Sequence, residues 1–321
     1  MKIDDKAFRD LKVYRSIEKE LIGGNVFHAN LFCSPDRLTN ELISFQIAKL
    51  VVCEDKKGCG TCSTCVKTQS ESNPDVMSFG KNSRVNVADV EKIIAEQTLK
   101  PMISNCKLYI INNIDNATIQ AQNKLLKVLE EPNKDVYFIL NAVNLDAVLP
   151  TIKSRCKIKN VDGLSYEQAS GLFGEKLSPM LYSQSGGYLG KMEELSKGGD
   201  FEKMTTLCEE IVFEMKNSKQ VLNYSSQMAQ SKQNFVTKLS LIESLYRSIL
   251  SNLIEIDEEV DSQILDKIEK VKNEFTVEAI VEIINAIEFA KRQFDANVNL
   301  GMISDGLLMK ILEVKYLCKQ K

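Results

Sequence analysis

Residues 107–159 read KLYIINNIDNATIQAQNKLLKVLEEPNKDVYFILNAVNLDAVLPTIKSRCKIK, strand, helix, strand, loop and strand in turn. Leu108–Ile111 is a short apolar, β-branched run without period, as a parallel strand buried on both faces requires. Thr118 is a good helix N-cap, Ala121, Leu125, Val128 and Leu129 then recur at helical spacing, and Glu130-Glu131-Pro132 closes the helix. Val136–Leu140 is a second buried strand. After a loop ending at Pro150, the alternation of Cys156 and Ile158 with Lys157 and Lys159 predicts a third, half-exposed strand that Arg155 begins. Strands and helices alternating at this spacing specify an α/β domain with a parallel sheet and right-handed crossovers.

Working outward, Leu11–Ile22 is helical and ends at Gly23-Gly24, and Ala29–Cys33 is an apolar strand leading into a helix with Leu42, Ile43, Phe45, Ile47, Leu50 and Val51. Val76–Phe79 follows Asn73-Pro74 as a strand, and Val87–Gln97 is a helix, which brings the sheet to five strands. Strand-like runs stop near Val161. Residues 162–204 form a small helical, glycine-containing unit in which SQSGGYLG makes a turn, and 205–321 read as amphipathic helices throughout. The last helix places Leu300, Ile303, Leu307, Ile311 and Val314 on one stripe.

The chain has 321 residues, 44% hydrophobic content and a formal net charge of -3, enough for two or three globular domains. No apolar run approaches the roughly 20 residues that cross a bilayer, and MKIDDKAFRD lacks the apolar core of a signal peptide, so a cytoplasmic protein without membrane contact is expected. The mild acidity argues against a strong nucleic-acid-binding surface and favours protein partners.

Of nine cysteines, Cys33, Cys106, Cys156, Cys208 and Cys318 are scattered and read as small buried hydrophobes. The other four form CEDKKGCGTCSTC: Cys53, Cys59, Cys62 and Cys65. Two C-x-x-C steps sharing Cys62, with a fourth cysteine six positions upstream of Cys59, suit tetrahedral thiolate coordination of Zn2+. A redox pair or an iron–sulfur cluster would use the same residue type. A closed four-thiolate set with no nearby catalytic histidine or carboxylate and no open ligand fits a structural ion better. Such a loop has almost no core, and metal binding supplies roughly 10 kcal/mol or more to isolated modules of this kind.

The turn after the first strand, Ser34-Pro35-Asp36-Arg37-Leu38-Thr39-Asn40-Glu41, occupies the place of a phosphate-binding G-x-x-x-x-G-K-[ST] loop with its chemistry missing. Ser34 and Thr39 stand for glycines, Asn40 for the lysine and Glu41 for the hydroxyl that holds magnesium. An anion at this helix start would meet the like charge of Asp36 and Glu41. After the 108–111 strand, Asn112 and Asn113 occupy the places of the carboxylates that would hold magnesium and activate water. Asp115, two positions on, reads as a turn or capping group. Lys153, Lys157 and Lys159 read as a solvated edge. Arg155, between Ser154 and Cys156, would present a planar guanidinium at the rim of the sheet. The single histidine, His28, has no metal or acid partner in sequence and reads as structural.

HANLF, the cysteine knuckle, NPDV, KLYIINNID, NKLLKVLEEP and LPTIKSRC, in this order, resemble the delta-prime family of bacterial DNA polymerase III clamp-loader subunits, within the AAA+ superfamily. The resemblance covers residues 7–160 and touches FDANVNLGMISDGLLMKIL near the C-terminus. It implies an AAA+ domain with a zinc knuckle at 53–65 (residues 1–161), a three-helix lid (162–204) and a C-terminal helical collar (205–321) within a five-subunit ring. It further implies that Arg155 of the Ser154-Arg155-Cys156 motif is an arginine finger acting in trans at the ATP site of a tau/gamma neighbour. Delta subunits, the sliding clamp and primed DNA would be met through the complex, and no ATP would be bound here. Ala142 and Val143 stand where ATP-binding relatives carry a polar nucleotide sensor. An active AAA+ ATPase of the same complex is the alternative, and a free-standing zinc-knuckle nucleic-acid binder is a third reading; the degenerate loop disfavours the former and the acidity the latter.

Overall fold

The computed structural model describes residues 5–24, 26–256 and 262–318. The chain order is α1 (Asp5–Arg9), α2 (Lys12–Ile22), β1 (Ala29–Cys33), α3 (Arg37–Val52), α4 (Ser63–Gln69), β2 (Val76–Phe79), α5 (Val87–Glu96), β3 (Lys107–Ile111), α6 (Ile119–Glu130), β4 (Val136–Ala142), α7 (Pro150–Lys153) and β5 (Lys157–Asn160). Helices α8 (Tyr166–Phe173), α9 (Pro179–Ser185), α10 (Leu189–Ser196), α11 (Asp200–Glu209), α12 (Ser218–Met228), α13 (Lys232–Leu253), α14 (Ser262–Val271), α15 (Val277–Asp295) and α16 (Leu300–Cys318) follow. No described helix is long and apolar enough to cross a membrane.

All five strands pair in parallel, in the order β2-β3-β4-β1-β5. The register sets Leu31 beside Leu140 and Ile158, and Ile110 beside Ile139, so the central strands are buried on both faces, as their unbroken apolar runs require. On one side of the sheet Tyr109, Phe138 and Leu140 join Ala121, Leu125, Val128 and Leu129 of α6 and Val90 and Ile93 of α5 in one core. The predicted cap of α6 is present: Ala121 N donates to Thr118 Oγ1 at 3.1 Å. His28 is structural, its ring Nε2 lying 3.0 Å from Leu129 O.

The chain divides into two compact units: residues 1–174 with 187–192, and residues 175–186 with 193–321. The first contains the sheet. The second is helical, and its core is built from Phe235, Leu239, Ile242 and Tyr246 of α13, Ile280, Ile283 and Ile287 of α15, and Ile303, Leu307, Ile311 and Val314 of α16. The stripe predicted on the last helix therefore faces inward, with Leu300 half-buried at its start.

Four expectations are corrected. Pro150 begins a helical turn, since proline at the first helical position has no N–H to lose there. Arg155 lies in the turn after α7, two residues before β5. The expected alternation holds at Cys156, which is buried, and at Lys157, which is exposed, but fails beyond them: Ile158 is 42% exposed, whereas the Lys159 side chain folds back to Glu20 and Ser16 of α2, with Nζ 2.8 and 2.7 Å from Oε1 and Oγ. Of the scattered cysteines, Cys106, Cys156 and Cys208 are buried, but Cys33 and Cys318 only partly so.

Candidate functional site

Strand β1 ends at Cys33 and delivers the 34–41 turn to the start of α3, at the carboxyl edge of the sheet. Helix N-termini attract anions because their first N–H groups lack partners. Here the chain supplies its own anion. Asp36 is the N-cap of α3, and its buried carboxylate accepts from Thr39 N at 2.8 Å and Thr39 Oγ1 at 2.5 Å. Ser34 Oγ donates to Asp36 O at 2.9 Å, which tightens the turn. Asn40, fully buried in the lysine's place, donates through Nδ2 to Ala142 O at 2.9 Å and Ser34 O at 3.2 Å, pinning α3 to β4. Glu41 is half-buried, and desolvation lifts its carboxyl above the usual range against the opposing contact of Asn113 Nδ2, 3.5 Å away.

Asn112 and Asn113 sit just beyond β3. The Asn112 amide donates to Ser78 Oγ and Phe79 O, both at 2.9 Å. Asn141, buried near the end of β4, joins them: its Nδ2 donates to Asn112 Oδ1 at 2.8 Å and Ser44 Oγ at 3.1 Å, and its Oδ1 accepts from Asn113 N at 2.8 Å. The carboxyl edge is thus closed by a net of neutral amides. Asp115 lies in the turn after β3, as expected, but its carboxylate reaches across to the next loop, accepting from Val143 N at 3.2 Å and Asn144 N at 3.1 Å. Sequence alone passed over Asn141, which is one polar position inside an apolar strand. It also treated Asp36 as repelling a ligand, not as the group that fills the anion site; the signal available was an aspartate three residues before Thr39 at a helix start.

Arg155 lies in the same unit, held by Ile152 and Cys156, which are buried on either side of it. Its guanidinium forms an ion pair with Glu130, the last residue of α6, and Nη1 donates to Thr151 O at 2.9 Å. Ser154 Oγ donates to Thr151 O at 3.0 Å, and Arg155 Nη1 is 3.4 Å from Ser154 Oγ. Cys156 is a packing group; burial pushes its thiol up to about 12. Ser154, Arg155 and Cys156 are 13 or more positions beyond Asn141 in sequence and on a different turn from the 34–41 loop.

The Sγ atoms of Cys53, Cys59, Cys62 and Cys65 all lie within 4.8 Å of one another. Zinc–thiolate bonds near 2.3 Å place tetrahedral sulfurs about 3.8 Å apart, so this donor set suits such an ion. Three backbone amides already point at the sulfurs: Cys59 N to Cys53 Sγ at 3.4 Å, Cys62 N to Cys59 Sγ at 3.3 Å and Cys65 N to Cys62 Sγ at 3.5 Å. Donors of this kind stabilise thiolate charge. Cys53 ends α3, and Cys62 caps α4, a helix the cysteine spacing did not disclose. Gly58 has φ +58, and a Cβ there would come within 2.7 Å of Tyr14 Oη; its carbonyl accepts from Arg9 at 2.8 Å. The knuckle is thereby fastened to α1 and α2 as well as to α3.

Residues 10–164 match the family model described as "DNA polymerase III, delta subunit". Subunit delta' of DNA polymerase III from Haemophilus influenzae is 26% identical over 95% of this chain and 96% of its own length, and that of Bacillus subtilis is 26% identical over 94% of each. The Escherichia coli tau subunit is 28% identical over 45% of this chain and 23% of its own. A solved gamma subunit-related protein of Thermotoga maritima superposes with a TM-score of 0.41 at 17% identity, covering 94% of this chain and 99% of that one.

Proposed function

Since the chain belongs to the delta-prime family of DNA polymerase III subunits, we infer that it is a non-catalytic member of the clamp-loader complex and supports a neighbour's ATPase site. The observation that carries this is the carboxylate of Asp36 seated on the α3 N-terminus, where a nucleotide's phosphate would have to lie. Coulomb repulsion from Asp36 and the half-buried Glu41 opposes a polyphosphate, and Asn40, Asn112 and Asn113 offer neither cation nor metal-binding carboxylate. Each loss removes a term worth several kcal/mol of binding or barrier, so the losses together disfavour an ATPase in its own right.

Arg155 in turn has the chemistry of a group given away. It is a guanidinium on a firmly mounted turn, and its own chain holds it by the surface carboxylate of Glu130, the Thr151 carbonyl and the Ser154 hydroxyl. In this role it reaches the γ-phosphate of ATP held by an adjacent tau/gamma subunit, with Ser154 and Cys156 setting its turn, and stabilises the charge of phosphoryl transfer. Zn2+ bound by Cys53, Cys59, Cys62 and Cys65 is structural: it fixes the loop between α3 and α4 and takes no part in chemistry. Residues 162–204 serve as the lid and 205–321 as the collar that joins the ring with tau/gamma and delta subunits. Through that ring the chain would act on the sliding clamp and primed DNA in the cytoplasm.

The test is reconstitution. The chain mixed with tau/gamma and delta subunits should give a complex of defined mass with DNA-stimulated ATP turnover, and a chain lacking residues 205–321 should fail to enter it. Magnesium-dependent ATP binding by the isolated chain at micromolar affinity would replace this function with that of an active ATPase.

A further inference from the structure

The carboxylate that fills the anion site has a second set of partners. Gly190, in the first turn of α10, donates its N–H to Asp36 Oδ2 at 2.9 Å, and the preceding residue, Leu189, donates to Thr39 Oγ1 at 3.1 Å. Asp36 Oδ2 therefore gathers three donors, from two stretches of chain about 150 residues apart: Thr39 N, Thr39 Oγ1 and Gly190 N. Leu189 and Gly190 belong to the 187–192 segment, which is part of the sheet unit although the residues on both sides of it in sequence belong to the other.

Three further features show that this contact is built. Leu189 and Met192 are fully buried. Gly187 accepts from Leu164 N at 2.9 Å, giving the segment a second anchor. A Cβ on Gly190 would lie 2.2 Å from Asp36 Oδ1, so glycine is what lets the α10 backbone approach the carboxylate this closely. A carboxylate shared between two helix starts is favoured by both sets of unpaired N–H groups.

We propose that Asp36 is an internal substitute for a bound phosphate and latches residues 187–192 to the sheet unit without any nucleotide. The proposal rests on the reading of the 34–41 turn as a lapsed phosphate loop and adds to it a consequence. The loop gathers a distant segment through a fixed charge of its own in place of an exchangeable one. The position of that segment then does not vary with ATP.

Amide hydrogen exchange on the full-length chain, with and without magnesium and ATP, tests this through two variants. Gly190→Ala crowds the Asp36 carboxylate and breaks its contact with α10, and Asp36→Ala removes that contact and the α3 cap together. The expected result for Gly190→Ala is exchange at positions 189 and 190 faster by roughly ten- to a hundredfold, the range spanned by a hydrogen bond to a charged group, with residues 38–43 of α3 altered less than by Asp36→Ala. Asp36→Ala should speed exchange in both places. Wild-type exchange at 187–192 should be the same with and without nucleotide. The latch is overturned if Gly190→Ala leaves 187–192 as protected as before, or if Asp36→Ala loosens α3 alone. Should Asp36→Ala fail to fold, Gly190→Ala still decides the matter. If the wild-type segment becomes more protected when ATP is added, the lapsed-loop reading fails, whatever the variants do.

Discussion

Replacing Arg155 by alanine separates what the guanidinium does for its own chain from what it would do for a neighbour. Within the chain it loses the pair with Glu130, whose two side chains are 32% and 47% exposed, and one hydrogen bond to Thr151 O. Pairs this open to water contribute about 0.2–1 kcal/mol, and the main-chain bond about 1 kcal/mol more. Folding and complex formation should therefore survive with a stability loss of no more than about 2 kcal/mol. In trans the stake is larger: arginine fingers accelerate phosphoryl transfer by about 10³–10⁵-fold, or roughly 4–7 kcal/mol of barrier. Removing Glu130 frees the same guanidinium from a pair worth a factor of about 1.4–5 in availability. Glu130→Ala should thus change the rate by no more than about fivefold. The assay is single-turnover ATP hydrolysis by the reconstituted complex, which resolves the one affected site that steady-state turnover at the other sites would mask. An intact complex carrying Arg155→Ala that hydrolyses every ATP at the wild-type rate would refute the finger. A Glu130→Ala complex as slow as Arg155→Ala would show that the turn, not the guanidinium, matters.

The remaining predictions concern the zinc knuckle, the amide net and a pH-dependent contact. Cys62→Ser should lower bound zinc, by metal analysis of the purified chain, from one ion to a small fraction, and make residues 53–65 protease-sensitive while the far-ultraviolet spectrum keeps its shape; loss of the whole fold would mean that the knuckle supports the sheet. Asn141→Ala strands Asn113 N–H, Asn112 Oδ1 and Ser44 Oγ, and at about 1–3 kcal/mol for each buried group left unpaired the urea unfolding free energy should fall by at least ~2 kcal/mol. Desolvation raises the Glu20 carboxyl, but Lys157 and Lys159 outweigh it and leave it below the usual carboxylate range. A depressed carboxylate stabilises the fold above its unfolded value and loses that contribution as pH falls through the folded one. Glu20→Gln should accordingly lower the melting temperature at pH 7, and the gap from wild type should close below about pH 4; a gap that persists in acid would locate the effect in packing.

Much of the sheet unit was legible because its signals are local. The unbroken apolar runs at β3 and β4 and the Thr118 cap needed no partner to be recognised. The errors arose where a distant residue decides. Ile158 points outward because Lys159 finds Glu20 about 140 positions away, and the aliphatic stem of a lysine lies against a covered face as readily as an isoleucine does. Helix α4 was hidden because its cysteines suggested only their sulfur chemistry. Asn141 was passed over because its worth lies in Asn112, Asn113 and Ser44, none of them its neighbour in sequence. The 34–41 loop could be read as unable to cradle phosphate, but not as already occupied, since the second half of its contacts comes from Leu189 and Gly190.

The mounting of Arg155 has a further consequence for how this surface changes over time. Ile152 is fully buried and Cys156 nearly so, and only the three residues between them reach the surface. The path of the turn that carries Arg155 is thus set from the interior, while the surface carboxylate of Glu130 holds the guanidinium itself. An exchange at the fully buried Ile152 that shifts the turn would move the guanidinium without touching it. Drift in the core is therefore one route by which the reach of this side chain would change.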